Sequence, residues 1–340
     1  QWDASLIRTA TDLGCMEMLR FGTTSFNDMY FHTDVIATAV QQNGMRALLG
    51  HGIVDFDESC KDMVEGVEMA EKWHHAADDR IRFSLAPHSE GATTEVLLRK
   101  VAETARRMGL VVHTHVSETD FDLQGSLKRR GLTPPAYLEK LGLLEGPVIA
   151  AHCVWFNDED IAIFKKHGAT VAHNPISNLK LASGVAPIAK MLKSGVNVAL
   201  GTDGVASNND LNLWEELKLM PMLQKGVTLD PTVVTPMQTL AAATVVGAKA
   251  MGYDNLGLLK EGYLADLILI DLNTPHMIPA TDLEANLIYA AQGSDVRLTM
   301  VNGKALYRDG AFTTLDREGI LRSAREGAQE MHRRLAAEAK

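Results

Sequence analysis

The chain has 340 residues, which is enough for one large α/β barrel or for two domains of ordinary size. Its composition, with 46% hydrophobic and 22% charged residues, is that of a globular protein and excludes a disordered or collagen-like chain. The formal net charge of −10 argues against a protein that binds nucleic acid or an anionic membrane, since either partner would require a basic face. Small molecules are therefore the expected partners.

Cysteine usage and the lack of long apolar runs predict a cytoplasmic protein. The cysteines Cys15, Cys60 and Cys153 are odd in number and widely spaced, so they predict neither a disulfide framework nor a cysteine zinc site. No apolar run approaches the roughly 18 residues of a transmembrane helix, and the sequence begins without the basic and apolar segments of a secretory signal.

Helical and strand-like segments alternate along most of the chain. Residues 3–20 have helical periodicity and precede the strand-like segment 23–29, and the helical stretch 33–43 precedes the strand-like segment 45–49. Further helices are predicted at 59–76, 94–108, 134–141, 157–167 and 185–194, and further strands at 81–86, 111–116, 148–151, 169–173 and 197–200. Strands that alternate with crossover helices form a parallel sheet.

Polar residues stand at the end of nearly every predicted strand. They are Asn27, Asp28, His51, His88, His115, His152, His173 and Asp203. A doubly wound sheet would gather its ligands at one switch point, whereas a closed barrel presents them from all of its strands. We therefore expect residues 1–255 to form a TIM-type (β/α)8 barrel of the metal-dependent hydrolase kind, whose first strand precedes residue 1.

The pattern changes after about residue 255. Residues 257–271 read as a glycine-containing turn followed by an alternating strand, and 296–307 read as a hairpin around Asn302-Gly303. We expect residues 256–312 to form a small β domain, half of a composite sandwich. Residues 313–340 should form a C-terminal amphipathic helix.

The sequence His113-Thr-His115-Val-Ser-Glu118 is the first candidate for chemistry. Residues two apart on a strand share a face, so His113 and His115 predict either a pair of metal ligands or one ligand with a packed neighbour. Glu118 lies just past the strand, where its carboxylate would reach a metal-bound water without ligating the metal.

The ends of two later strands supply the other candidates. His152 follows an apolar strand and, taken alone, reads as a core histidine. Asp203 lies in Gly201-Thr-Asp-Gly204, where burial of an acid is costly unless a cation or donors receive it. The side chains of His173-Asn174-Pro175 and Ser177-Asn178 read either as loop braces or as site residues.

Together these motifs resemble the amidohydrolase superfamily. HxxE, AHC, HNPxSN and GTDG follow one another in this order on separate strands, as in the 5-methylthioadenosine/S-adenosylhomocysteine deaminases, and the archaeal 5'-deoxyadenosine deaminases of that group look especially similar. The resemblance extends over essentially the whole chain. It implies hydrolytic deamination of an adenosine derivative to the inosine derivative and ammonia.

The resemblance also implies roles for individual residues. His115 becomes a metal ligand and Glu118 the proton shuttle, which also contacts the substrate. Asp203 becomes a metal ligand that orients the attacking water and contacts the substrate, His152 a catalytic partner of that water, and His88 a contact to the nucleoside sugar. His113 becomes a residue behind the ligands. The implied cofactor is one divalent ion, zinc first and Fe²⁺ as the alternative, and a homo-oligomer is compatible with it.

The chain departs from the family in two places. The resemblance implies two further metal ligands in an HxH on the first strand, which does not occur upstream of Gly22, so the chain resembles a member without its N-terminal segment. Where an arginine is expected after the third strand, the chain has His51, and Lys61 is the candidate partner for a substrate carboxylate. The alternatives are another amidohydrolase, such as a guanine or cytosine deaminase or a chlorotriazine hydrolase, and an inactive fragment that serves only as a structural or interaction module.

Overall fold

The computed structural model describes residues 3–55 and 60–338. The start of the predicted helix 59–76 and the last two residues of the predicted C-terminal helix lie outside the described residues. Within these ranges, the strands are β1 Ser25–Tyr30, β2 Arg46–Ile53, β3 Ile81–Pro87, β4 Val111–Val116, β5 Val148–His152, β6 Thr170–His173, β7 Asn197–Leu200, β8 Leu267–Ile270, β9 Val296–Val301, β10 Lys304–Arg308 and β11 Ala311–Phe312.

Helices connect the strands. Over the same described ranges they are α1 Ala4–Arg20, α2 Thr33–Asn43, α3 Lys61–Trp73, α4 Ala76–Asp79, α5 Glu95–Met108, α6 Asp120–Arg130, α7 Pro134–Lys140, α8 Asp158–His167, α9 Pro175–Lys180, α10 Ile188–Ser194, α11 Val205–Asn208, α12 Leu213–Thr228, α13 Pro236–Ala243, α14 Val245–Ala250, α15 Leu283–Tyr289 and α16 Arg317–Glu338. Short 3-10 turns occur at Leu143–Glu145, Pro275–Met277 and Gly293–Asp295. None of the described helices is both long enough and apolar enough to cross a membrane.

Strands β1 to β7 form one parallel sheet in chain order. Alternate residues of each strand face two different apolar layers. Leu49 and Val112 pack outward in the large core between strands and helices. Leu48, Val111 and Ile149 pack inward with residues of the segment that follows α14. The predicted α/β fold with seven parallel strands is therefore confirmed, and the inner apolar layer leaves the C-terminal ends of the strands for polar groups.

A second, antiparallel sheet has the order β11-β10-β9-β8. The predicted hairpin is confirmed, because Asn302 and Gly303 join β9 to β10 with φ angles of 50° and 76°, both in the left-handed region that a type I′ turn requires. A buried ion pair links this sheet to the barrel, with Arg46 Nε 2.8 Å from Asp266 Oδ2. The domain boundaries at residues 255 and 312 remain predictions.

Several helices differ from the sequence expectation, since α6, α9, α11, α13, α14 and α15 were not predicted and two others are instructive. Helix α3 ends at Trp73, before the predicted end at residue 76, because His74 takes an extended conformation and its Nδ1 accepts a hydrogen bond from the backbone N–H of Phe83. Helix α12 was not predicted. It contains Pro221, which removes a backbone donor and interrupts the sequence pattern of a helix.

Candidate active site

Histidines from three neighbouring strands form a row at the mouth of the barrel. Backbone pairing places Ser89 opposite His115, and Val116 opposite His152. The ring centroids of His88 and His115 are 4.6 Å apart, and those of His115 and His152 are 5.5 Å apart. The structure therefore brings together three of the predicted site residues.

Strand β4 delivers both members of the HxH pair to the inside of the barrel. Val111 faces the inner apolar layer, so His113 and His115 share that face. His113 lies deeper, where Nδ2 of Asn27 is 3.3 Å from a ring nitrogen. Burial lowers the pKa of His113 to about 3. His113 is thus a neutral imidazole below His115, and its role behind the ligands stays a prediction.

His115 has a defined tautomer. Its Nδ1 is 2.6 Å from the carbonyl oxygen of His88, which only accepts, so Nδ1 carries the proton and Nε2 keeps its lone pair. Burial lowers the pKa of His115 to about 4. The neutral imidazole with a free lone pair is the form that binds a metal ion.

His152 is turned toward the mouth by its backbone. Ala150 of the same strand faces the helices, and a regular strand would point His152 the same way. Its φ of 74° lies in the left-handed region, and the ring stacks on His115 instead. His152 Nδ1 donates to Asn178 Oδ1 at 2.9 Å, and Nε2 is 3.7 Å from Glu118 Oε2. A strained non-glycine backbone at this position is typical of a functional site.

Both carboxylate oxygens of Asp203 accept a hydrogen bond. Ser177 Oγ donates to Oδ2 at 2.7 Å, and the backbone N–H of Gly204 donates to Oδ1 at 2.7 Å. A Cβ at Gly201 would lie 2.6 Å from Asn174 Oδ1, so a larger residue at that position would require the Asn174 side chain to move. The carboxylate is therefore fixed in orientation.

The donor types at the mouth fit a divalent metal ion, although their number is small. A neutral imidazole on β4 and an oriented carboxylate after β7 are both usual zinc ligands. Within residues 3–55 and 60–338, however, no group of three or more histidine, cysteine, aspartate or glutamate side chains lies close enough together to hold a metal. His115 and Asp203, the predicted ligands, are fewer than the three protein ligands that a catalytic zinc usually has.

Several buried polar atoms at the mouth have no hydrogen-bond partner among the described residues. Both ring nitrogens of His173, Asn27 Oδ1, Asn178 Nδ2 and Ser117 Oγ belong to this group. Burial lowers the pKa of His173 to about 3, so the ring is neutral. Buried polar groups are nearly always paired, and such a concentration is typical of a site that receives water or a polar ligand.

Sequence reasoning left two residues undecided and missed a third. Ser177 and Asn178, read as loop braces or site residues, each bond to a predicted catalytic residue. Glu216 of α12 was missed because a glutamate on an unpredicted helix gives no signal. Lys61, the candidate partner of a substrate carboxylate, lies 3.6 Å from Glu65, and His51, which stands in place of the expected arginine, lies 3.4 Å from the same carboxylate.

The chain is similar to known proteins over nearly its whole length. It is 45% identical to the 5'-deoxyadenosine deaminase of Methanosarcina barkeri, covering 99% of this chain and 80% of that protein. It is 48% identical to the 5-methylthioadenosine/S-adenosylhomocysteine deaminase of Moorella thermoacetica, covering 91% and 72%. The structure of an adenosine deaminase from Xanthomonas campestris with bound zinc superimposes with a TM-score of 0.93 at 32% identity, covering 98% and 76%.

The family model described as the amidohydrolase family matches residues 3–306, which include every strand that carries a candidate site residue. The chain belongs to the amidohydrolase family.

Proposed function

We propose that this chain catalyses the hydrolytic deamination of adenosine derivatives to inosine derivatives and ammonia. The observation that carries the proposal is the position of Glu118, whose carboxylate lies 3.7 Å from His152 at the same mouth as His115 and Asp203. A proton carrier beside an oriented imidazole is what addition of water to a purine requires. The deaminase names of the relatives agree with this chemistry.

The metal belongs to the same proposal. His115 and Asp203 would hold a divalent ion, for which zinc is the first candidate because the structural neighbour from Xanthomonas campestris binds it. When bound, such an ion would supply a Lewis acid that lowers the pKa of a coordinated water toward about 7.

The side chains of the chain divide the remaining work. Glu118 takes one proton from the attacking water and delivers it to N1 of the purine while the water oxygen bonds to C6. His152 accepts a hydrogen bond from that water at Nε2, because its Nδ1 is committed to Asn178. Glu118 then carries the second proton to the amino group, the C6–N bond breaks, and its electron pair leaves with ammonia. The exposed His88 at the rim contacts the sugar.

Replacing Glu118 tests this proposal. Glu118→Gln keeps the shape of the side chain and removes proton transfer, so kcat should fall about 10²–10⁴-fold with unchanged metal content. The absorbance change from adenosine to inosine follows the reaction, and metal analysis gives the content. Glu103→Gln, an exposed glutamate on α5, is the matched control. Equal activity of the Glu118 and Glu103 variants would refute the proton-carrier role.

We also propose that the preferred substrates carry an uncharged 5' substituent. Burial lowers the pKa of His51, which disfavours its charged form, and the exposed Lys61 lies 3.6 Å from Glu65, so neither offers a substrate carboxylate the fixed cation that an arginine would. We expect kcat/KM for 5'-deoxyadenosine and for 5'-methylthioadenosine to exceed kcat/KM for S-adenosylhomocysteine by more than about tenfold. This is the loss expected when one contact to a charged group is missing. A ratio of these values below one would contradict this preference.

A further inference from the structure

We propose that Glu216 is a positioning residue, which holds in place the two loops that orient His152 and Asp203. Glu216 touches neither of these residues, and nothing in the reaction above uses it. The inference rests on the proposed deamination, in which His152 and Asp203 act on the water.

Glu216 lies in the first turn of α12 and accepts hydrogen bonds from two other elements. Its Oε2 accepts from the backbone N–H of Ile176 on α9 at 3.1 Å. Its Oε1 accepts from Asn208 Nδ2 on α11 at 2.7 Å. The same amide of Asn208 also donates to the carbonyl oxygen of Thr202 at 2.9 Å. One carboxyl group therefore joins the loop after β6 to the loop after β7.

These contacts lie one residue away from the site on both sides. Ile176 immediately precedes the two residues of α9 that bond to Asp203 and His152. Thr202 immediately precedes Asp203 itself. Lys180 at the far end of α9 also donates to Ala206 and Asn209 of the β7 loop, whereas Glu216 binds the first turn, next to the site. A displacement of α9 relative to the β7 loop would change the orientation of both side chains at once.

The burial of Glu216 supports a specific role. Its side chain is fully buried, and among the described residues no lysine or arginine forms an ion pair with it. Desolvation raises the pKa of Glu216 to about 8. Burial of a carboxyl without a cation lowers the stability of the fold. If this position of α12 served only for packing, an apolar residue there would be more stable. What the carboxyl supplies is two oxygens that accept from two separate loops, because each oxygen keeps lone pairs also when the carboxyl is protonated.

The test compares Glu216→Gln with Glu215→Gln, the neighbouring exposed glutamate on the same helix. Glutamine keeps the shape of the Glu216 side chain, but its amide has one oxygen that accepts and one NH2 group that donates. The backbone N–H of Ile176 and the amide of Asn208 both donate, so only one of them keeps its acceptor. We expect kcat to fall about 10–100-fold, as for other residues that orient catalytic groups, with KM changed less than about threefold. Glu215→Gln should leave both constants unchanged. Equal kcat in the two variants would overturn the proposal.

A second measurement does not depend on activity. In protein labelled with ¹⁵N-histidine, the Nδ1–H resonance of His152 reports its bond to Asn178 and is assigned with Asn178→Ala. We expect this resonance to shift or broaden in Glu216→Gln and to stay in place in Glu215→Gln. If wild type lacks deaminase activity but the resonance responds, the proposed reaction fails and the positioning role stands. If wild type is active and the resonance does not move, the positioning role fails.

A variant that keeps Glu216 covers the case in which Glu216→Gln does not fold. Asn208→Ala releases the β7 loop and leaves the bond from Ile176 to Glu216 intact. It should lower kcat about tenfold or more while the His152 resonance stays unchanged. In the pair of Asn178→Ala with Glu216→Gln, the loss in the double variant should be smaller than the product of the two single losses, because both changes disturb the bond between His152 and Asn178. Unchanged kcat in Asn208→Ala, or losses that multiply in the double variant, would refute the link.

Discussion

Hydrogen bonds to Nδ1 decide which face each histidine of the site presents to the mouth. His115 donates to the carbonyl of His88, and His152 donates to the amide oxygen of Asn178. Each bond uses Nδ1 and turns the opposite nitrogen, Nε2, toward the mouth. The orientation of both rings is thus set by the acceptor at Nδ1.

The buried Glu216 predicts a pH dependence of stability. Its pKa is about 8 in the folded chain, against 4.5 for the ordinary group. Between these values the unfolded chain loses the proton and the folded chain keeps it. The contribution of Glu216 to the free energy of unfolding is therefore fully present below about pH 4.5 and falls as pH rises to about 8, by at most about 1.4 kcal/mol per pH unit.

Urea unfolding of wild type and Glu216→Gln from pH 5 to pH 8 measures this contribution. The difference between the two free energies should decrease as pH rises, because the glutamine does not titrate. Glu215→Gln is the control and should run parallel to wild type. Parallel curves for wild type and Glu216→Gln would show that the buried carboxyl does not titrate in this range.

Caps and one buried ion pair position the elements. Thr119, the residue directly after Glu118, caps α6 in a capping box with Asp122. The fixed start of the helix therefore restrains the backbone position of Glu118. At the opposite side of the barrel, Arg46 and Asp266 are both about 1% exposed and join β2 to the small sheet. The backbone N–H of Asn302 also donates to Asp266, at 2.7 Å.

Removal of one member of this pair should be strongly destabilising. Asp266→Asn leaves the guanidinium of Arg46 buried without its counterion, and we expect a loss of about 3–5 kcal/mol in the free energy of unfolding. Asp271→Asn is the control, because the Arg297–Asp271 pair is exposed to solvent on the arginine side and should contribute far less to stability. Urea denaturation compares them, and equal losses would contradict the difference in burial.

The whole molecule brings distant strands to one point. His115 lies on β4 and Asp203 lies just after β7, which is three strands away in the sheet. The two groups interact because the sheet curls, and the negative charge of Asp203 acts on His115. A metal ion held by both would therefore link the two halves of the sheet.

Zinc should stabilise the folded chain. A ligand that binds only the folded state adds about 2.7 kcal/mol at a concentration of 100 times Kd, so the melting temperature should rise with zinc and fall with a chelator. Asp203→Asn should reduce the rise, whereas Asp158→Asn, whose side chain is 75% exposed, should not. Scanning calorimetry gives both values. An equal rise in the two variants would remove Asp203 from the proposed ligand set.

Local sequence was sufficient for the alternation of strands and helices, the polar strand ends and the Asn302-Gly303 hairpin. Periodicity and turn chemistry depend on neighbours in the chain, so they can be recognised without the fold. The same holds for the order of the motifs around His115, Glu118, His152 and Asp203, which indicated the family.

Only the tertiary structure decided which of these residues meet and what orients them. The bonds from Ser177 to Asp203, from His152 to Asn178 and from Arg46 to Asp266 join residues 26, 26 and 220 positions apart. Such contacts depend on strand register and on the curl of the sheet, which no local pattern contains. The left-handed turn of His152 and the buried Glu216 became visible for the same reason, because each is defined by its partners in space.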